Sequence, residues 1–512
     1  MTPSVPRLDA AAVAKVVFAA RLMTGLAAMI DRMRTSSALL LACLLVSPTV
    51  PAQILLPDLG DSAQAGFTSS DEARAGRDGF RWLRENNALL GDAELDDYLR
   101  RMSVRLANSS PDPAQHYRLF AIDDNQINAF AMPGGYIGIH TGLIVAAQNE
   151  SELASVMAHE MAHVTQHHIA RQMEQRGLGN LMALGGMLAA VLAASAGGGA
   201  NAAIAAATAG PGLAIQNQLS FSRDFEREAD RVGIQTLGKA GFDSRAMGSF
   251  FERLQKTNRI NDNNALAFLR THPVTSERVS DAENRAASQP ARMPADSVEF
   301  LLAREKSRVA VMEPLAAARF YRDAIRDRRY VSEMAQWYGL SAALLAQNDI
   351  AGARDANRRA AALAGQPNPW LIGQEAAIEL AARNYDVAAR LYHDGRARFP
   401  EAPALAYGEI DSPIAGKRLD PARDLAEREV TRRPDSAVLW QRLARIYADR
   451  DVMRYHFALG QQFYYEGNYR AALEQYRFAR DARGDDFYVR SRIDARVDEL
   501  TPIVKEEKNE RR

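Results

Sequence analysis

Val156-Met157-Ala158-His159-Glu160-Met161-Ala162-His163 lies in a run from Ser151 to Arg176 that holds neither glycine nor proline. The run predicts a helix from about Asn149-Glu150-Ser151 to Gln175. Side chains four apart on a helix share a face, so His159 and His163 can aim two imidazoles at one ion. Glu160, one step round, is placed to touch a water on that ion. Two imidazoles and a carboxylate base suit a hydrolytic zinc centre that keeps one position open. His167, four beyond His163, shares the face. One straight helix does not easily bring three successive turns to one ion, so His167 and His168 are read as surface residues or neighbours of the ligands.

The centre then lacks a third protein ligand. Phe225-Glu226-Arg227-Glu228-Ala229-Asp230-Arg231 opens a helix expected to reach Gly238. Glu226 and Asp230 share a face, which suits a ligand with a second acid beneath it, and Glu228 points elsewhere. Asp230 is read either as a partner that fixes a histidine tautomer or as a proton donor. Thr271-His272-Pro273 sits on a loop leading into a helix capped by Thr275 or Ser276. His272 is open to four roles: orienting substrate, stabilising an oxyanion, stopping the open metal position, or shaping the loop alone.

Upstream, Ser69-Ser70-Asp71-Glu72 reads as a helix start, and Gly91-Asp92 breaks the helical region that runs to Ala107. Tyr117–Ile122 reads as a strand. Asn128-Ala129-Phe130, Pro133-Gly134-Gly135 and Tyr136–His140 read as a hairpin with Pro-Gly-Gly as the turn. Such a small sheet either presents an edge to an extended peptide substrate, through Asn128, Ala129, Phe130, Gly134 and Gly135, or is purely structural.

The chain has 512 residues, with 63 basic and 63 acidic side chains, and it is 47% hydrophobic. Zero net charge argues against nucleic acid as a partner. The sole cysteine, Cys43, excludes a disulfide framework, and it falls in an apolar run with Arg32 and Arg34 before it and Val50-Pro51-Ala52 after it. That arrangement reads as an export signal cleaved before Gln53, with Met29 or Met33 as the natural start. Lipidation at Cys43 is the less favoured alternative. From Gly177 to Ser222 there is no charged residue. Its apolar pieces are too short for a span, so two short helices are expected there, gating the cleft and touching a membrane or greasy substrate at most peripherally.

Taken together, His159-Glu160-x-x-His163, Glu226-x-x-x-Asp230, the Asn128–Gly135 hairpin and Thr271-His272-Pro273 resemble the M48 zinc metalloproteases. The likeness is to their exported, repeat-bearing members that enhance β-barrel assembly in the bacterial periplasm. The resemblance implies that one Zn2+ per chain is bound by His159, His163 and Glu226. Glu160 would be the general base and Asp230 a proton donor or supporting acid. It also implies work on misassembled outer-membrane β-barrel proteins, alongside their assembly machinery.

Beyond Val309 the text is helical and repetitive. Asn348-x-Ile350-x-x-Ala353, Tyr385-x-x-Ala388 and Gly467-Asn468-Tyr469-x-x-Ala472 give a period near 34, the tetratricopeptide signature. About four degenerate helix pairs are expected from Ala310 to Arg496, with Asp411-Ser412-Pro413 and the short Trp440–His456 interval as interruptions.

The expected architecture is mainly α (α+β). It comprises an N-terminal extension and signal peptide (1–52), a zincin-type metalloprotease domain (53–290), a tetratricopeptide α-solenoid (305–498) and a charged tail (499–512), expected to be disordered from Lys505 on. Two rivals stand beside the peptidase: a chaperone or adaptor scaffold whose zinc is structural, and a membrane-integrated protease anchored by 177–222.

Overall fold

The computed structural model describes residues 68–176, 221–259, 266–484 and 486–510. The expectations for 1–52, for Cys43 and for all but the end of 177–222 lie outside the described residues. Among those described, no helix is long and apolar enough to cross a membrane.

Helix α1 (Ser69–Glu85) starts where the sequence places it. Thr68 caps it, its hydroxyl accepting from the Asp71 N–H at 3.2 Å while the Asp71 carboxylate accepts from the Thr68 N–H at 3.1 Å. The break at Gly91-Asp92 is also present: Gly91 turns through φ 67°, and the Asp92 carboxylate caps α2 (Ala93–Ala107). Three strands follow, β1 (Arg118–Ile122), β2 (Ala129–Met132) and β3 (Tyr136–His140), in the order β1-β3-β2. β3 pairs parallel with β1 and antiparallel with β2, which leaves β2 at an edge. Gly134 and Gly135 take φ 71° and 80° in the turn between β2 and β3. A Cβ on Gly135 would lie 2.2 Å from the His116 carbonyl oxygen, and one on Gly134 3.0 Å from Ala73 Cα in α1. Both glycines therefore let the turn pack closely against the rest of the domain.

After α3 (Thr141–Ala146) comes α4 (Glu150–Thr165), capped by the Asn149 side chain. Every residue of α4 from Ser151 to His163 is buried, so this is an interior helix rather than an amphipathic one. It ends ten residues short of the expected Gln175. His167 adopts φ 50°, and α5 (His168–Arg176) starts on a new axis. The Thr165 hydroxyl bonds back to the Met161 and Ala162 carbonyls, a competition with the helix ladder that helps end the turn.

Helix α6 (Arg223–Lys239) packs across α4, followed by α7 (Ala246–Arg259), α8 (Leu266–Thr271) and α9 (Ser276–Ala287). Gly233 permits the close crossing, since a Cβ there would stand 3.2 Å from the His159 backbone nitrogen. Ala162, Ala229 and Val232 fill the rest of that seam. Small residues at the crossing thus bring the carboxylates of α6 over the histidines of α4.

Residues 288–297 lead into α10 (Val298–Val311), which joins the two parts of the chain. One apolar core runs from Leu99, Ile139 and Met157 through Phe250 to Ala303, Tyr338 and Trp370, so the first repeats share it. Lys306 Nζ lies 2.6 Å from both Asp92 Oδ2 and Glu94 Oε2 across this junction. Lys306→Met strips the cation from two half-buried carboxylates. It is expected to destabilise the chain by about 2 kcal/mol, read as a lower midpoint in chemical unfolding. An unchanged midpoint would show the junction does not depend on this contact.

The repeats are α11 (Pro314–Arg326), α12 (Glu333–Ala346), α13 (Ile350–Ala364), α14 (Pro369–Ala381), α15 (Tyr385–Arg398), α16 (Pro403–Ala415), α17 (Leu419–Arg432), α18 (Ala437–Tyr447), α19 (Val452–Tyr465), α20 (Tyr469–Asp481) and α21 (Phe487–Glu510). These eleven helices among the described residues exceed the four expected pairs. Asp411-Ser412-Pro413 does not interrupt: it forms the last turns of α16, where Ser412 donates to the Gly408 carbonyl. The short Trp440–His456 interval holds parts of two helices, and residues 499–510, expected as a tail, continue α21. The signature positions have a steric cause. Ala353, Ala388, Ala422 and Ala472 are fully buried at helix crossings, and Tyr321, Tyr392 and Tyr476 lay their rings on Gly339, Gly408 and Gly460. The array curves until Glu466, beyond α19, meets Arg84 of α1 at 2.6 Å. Between them lies a cavity of about 1300 Å³ lined by α1, α2, β1 and the inner side of α15–α19.

Candidate metal centre

His159 and His163 stand one turn apart on α4 with their Nε2 atoms 3.0 Å apart. Glu226, from the first turn of α6, places its carboxylate 3.5 Å from His159 Nε2 and 3.6 Å from His163 Nε2. His272, just past α8, brings Nδ1 to 3.0 Å from Glu226 Oε1 and 3.3 Å from His159 Nε2. These four side chains offer donor atoms that all lie within 4.8 Å of one another, and all four residues are buried. Donors at the corners of a tetrahedron around zinc are separated by about 3.3 Å, so the set has the spacing a single small cation requires.

Charge supports the same fit. Two buried carboxyl groups, Glu226 and Asp230, share one guanidinium, Arg278, and a third, Glu160, lies beside them without an ion pair to it among the described residues. Burial works to lower the His159 pKa, but the Asp230 and Glu226 carboxylates outweigh it and raise the group to about 10. His163 goes the other way: burial and the neighbouring His159 hold it well below its ordinary value. In the metal-free cleft the neighbouring acids thus favour positive charge at His159, while burial disfavours it at His163. Both oxygens of Glu160 are buried and lack a hydrogen-bond partner among the described residues. Oε1 lies 3.4 Å from His272 Nε2. An orphaned buried carboxylate beside a cluster of metal donors is costly unless something else occupies the cleft.

Beneath the donors, Asp230 Oδ1 lies 2.9 Å from His159 Nδ1. Arg278 donates to both Asp230 oxygens at 2.7 and 2.8 Å, and its Nη1 is 2.8 Å from Glu226 Oε2. Burial pushes the Asp230 carboxyl up, yet the hydrogen bonds with His159 and Arg278 prevail and hold it below the usual carboxylate range. Of the two roles expected for Asp230, the contacts with His159 Nδ1 and Arg278 fit the one that orients the histidine. Arg278 is the residue that sequence reading missed. It lies in the first turn of α9, which Thr275 caps by accepting from the Arg278 N–H, so the predicted cap was the available signal.

The two other histidines of the motif region divide. His167 is one-third exposed, 3.9 Å from Glu72, and outside the cluster. His168 is buried, with Nδ1 2.9 Å from His163 Nδ1 and Nε2 3.2 Å from Glu228 Oε2. Glu228 does point away from the metal side, but toward this histidine rather than solvent alone. In the hairpin, Asn128 and Ala129 are buried while Phe130 is half-buried and its ring covers Gly138.

Helix-borne His-Glu-x-x-His, an acid from a following helix and a small sheet alongside define a metal-dependent peptidase. The sequence profile of peptidase family M48 matches residues 93–286, which contain every residue of this centre. A beta-barrel assembly-enhancing protease of Yersinia pestis is 30% identical over 413 residues, covering 79% of this chain and 82% of that protein. The chain belongs to peptidase family M48 and is a metalloendopeptidase by class. It is also 35% identical over 278 residues to the beta-barrel assembly-enhancing protease of Escherichia coli, covering 53% of this chain and 56% of that one. A Vibrio cholerae relative is 40% identical over 275 residues and is likewise matched over 56% of its length. The chain therefore spans little more than half of two of these three relatives.

Proposed function

We propose that this chain is a zinc-dependent endopeptidase of the periplasm that cleaves misfolded or misassembled outer-membrane proteins. Its helical repeats, of tetratricopeptide type, would assist β-barrel assembly. The observation that carries the reading is the convergence of His159, His163 and Glu226 beside the buried, unpartnered Glu160. The names of the Yersinia and Escherichia relatives support the client class. The cavity between the protease helices and the repeats offers room for an unfolded segment.

When bound, zinc supplies a Lewis acid for the scissile carbonyl and lowers the pKa of a water. Glu160 takes the proton from the attacking water and delivers it to the departing amide nitrogen. Asp230 orients His159 through Nδ1, and Arg278 keeps Asp230 and Glu226 in register. The β2 edge is the place for an extended substrate to add a strand. Degradation of an unfolded outer-membrane β-barrel protein by the purified mature chain tests the proposal. Cleavage should stop on chelation and return with zinc, and chelator-resistant cleavage would contradict it.

His272 sits among the donors, where it would close the position a substrate needs. The resting centre is then shut, and the His272→Ala variant should cleave faster. If the open form is on the order of a tenth of the resting population, the gain reaches roughly tenfold. A slower variant would instead give His272 a part in binding the transition state.

The same four-donor closure favours a second reading, since structural zinc sites are closed by protein ligands. Under it the chain is a chaperone or adaptor and the metal only braces it. Glu160→Gln should rescue barrel assembly fully in a strain lacking the protein if the scaffold reading holds, and fail where cleavage is needed.

A further inference from the structure

We infer that His168 and Glu228 form a hydrogen-bonded relay that fixes which nitrogen of His163 faces the metal, making His168 a positioning residue for the centre. The inference rests on His159, His163 and Glu226 being the ligands. His163 Nε2 lies inside the donor cluster, 3.0 Å from His159 Nε2, so the ring proton of a ligating His163 belongs on Nδ1. That Nδ1 is 2.9 Å from His168 Nδ1, a separation that admits one proton between the two nitrogens. With the proton on His163, His168 Nδ1 accepts. The remaining N–H of His168, on Nε2, then donates to Glu228 Oε2 at 3.2 Å. Arg171 donates to the same oxygen at 2.9 Å and keeps the carboxylate in place.

The local fold is arranged for this contact. A straight α4 would carry His168 away from His163, and the turn at His167, with φ 50°, redirects the chain so that the next ring lies under it. Phe225 stacks on the His168 ring at 4.6 Å and Phe221 on the His163 ring at 3.9 Å, fixing both planes. The result matches what Asp230 and Arg278 do for His159. Each metal histidine is held through Nδ1, each chain of contacts passes through an acid of α6, and each ends on an arginine. Such partners typically govern metal affinity.

Two variants of the full mature chain separate this role from mere packing, with zinc affinity measured by competition against a chromophoric chelator. His168→Phe keeps a ring against Phe225 but removes the acceptor, and it should bind zinc roughly ten- to hundredfold more weakly. His168→Asn puts an amide oxygen near the position of Nδ1 and should stay within about threefold of wild type. Equal affinity for His168→Phe and wild type, or equal losses in both variants, would overturn the relay. If the metal-free His168→Phe chain loses its helical content, Glu228→Leu carries the test at the far end, with weaker binding expected and unchanged binding contradicting it. A wild-type chain that binds no zinc would sink the ligand assignment itself, a separate result.

Discussion

Glu160→Gln is expected to leave the metal in place while lowering cleavage by a factor on the order of 10² to 10⁴, the span typical of losing a general base. The substitution is nearly isosteric, and the Glu160 oxygens make no hydrogen bond to any described group. Folding therefore loses no hydrogen bond among the described residues, and the neutral amide removes a buried charge whose nearest ion-pair contact among them is His272 Nε2 at 3.4 Å. What disappears is the one carboxylate beside the donor cluster, among the described residues, that is neither a proposed ligand nor tied to Arg278. Two measurements check this: bound zinc, expected unchanged, and the rate on an unfolded barrel substrate, expected near background. A variant that cleaves at the wild-type rate would move the base elsewhere.

Arg278→Leu should have the largest effect on the integrity of the centre. Arg278 is buried, donates to both oxygens of Asp230 and to the Pro273 carbonyl, and lies 2.8 Å from Glu226. Removing it leaves two buried carboxylates without their cation, a change that costs about 3–5 kcal/mol in comparable buried pairs. The sign with pH follows from the shifts. Burial raises the Glu226 and Asp230 carboxyls, but their hydrogen-bonded and charged partners prevail and depress both below their ordinary values. In the metal-free wild type their contribution is therefore present above the ordinary carboxylate range and is lost as pH falls through the depressed values. In the variant part of that advantage vanishes at neutral pH, so its unfolding midpoint should differ from wild type most near pH 7 and converge with it in acid. A constant difference across that range would assign Arg278 a packing role instead.

Much of this centre was legible because its logic is local. The i,i+4 spacing of His159 and His163, and of Glu226 and Asp230, fixes which side chains share a face regardless of tertiary context. Capping is equally local, and Thr68, Asp92 and Thr275 cap helices that the sequence marks. The hairpin was readable from Pro133-Gly134-Gly135, though the use of its glycines was not, because Ala73 and His116 approach them from other parts of the chain. The end of α4 was hidden for a related reason. Nothing in Gln166-His167 forbids a helix, and it is the burial of His168 against His163 and Phe225 that accompanies the turn. Arg278 was hidden because a basic residue in a helix's first turn normally faces water. The extra helices escaped because Ala422 occupies the repeat's small-residue position without the aromatic neighbours that marked Ala388 and Ala472.

The central claim is that His159, His163 and Glu226 hold one ion. Elemental analysis of the purified mature chain beside its Glu226→Ala variant tests it most directly. The account predicts about one zinc per wild-type chain and a large loss in the variant. Wild-type protein without stoichiometric metal, or a Glu226→Ala chain that keeps its full complement, would contradict it.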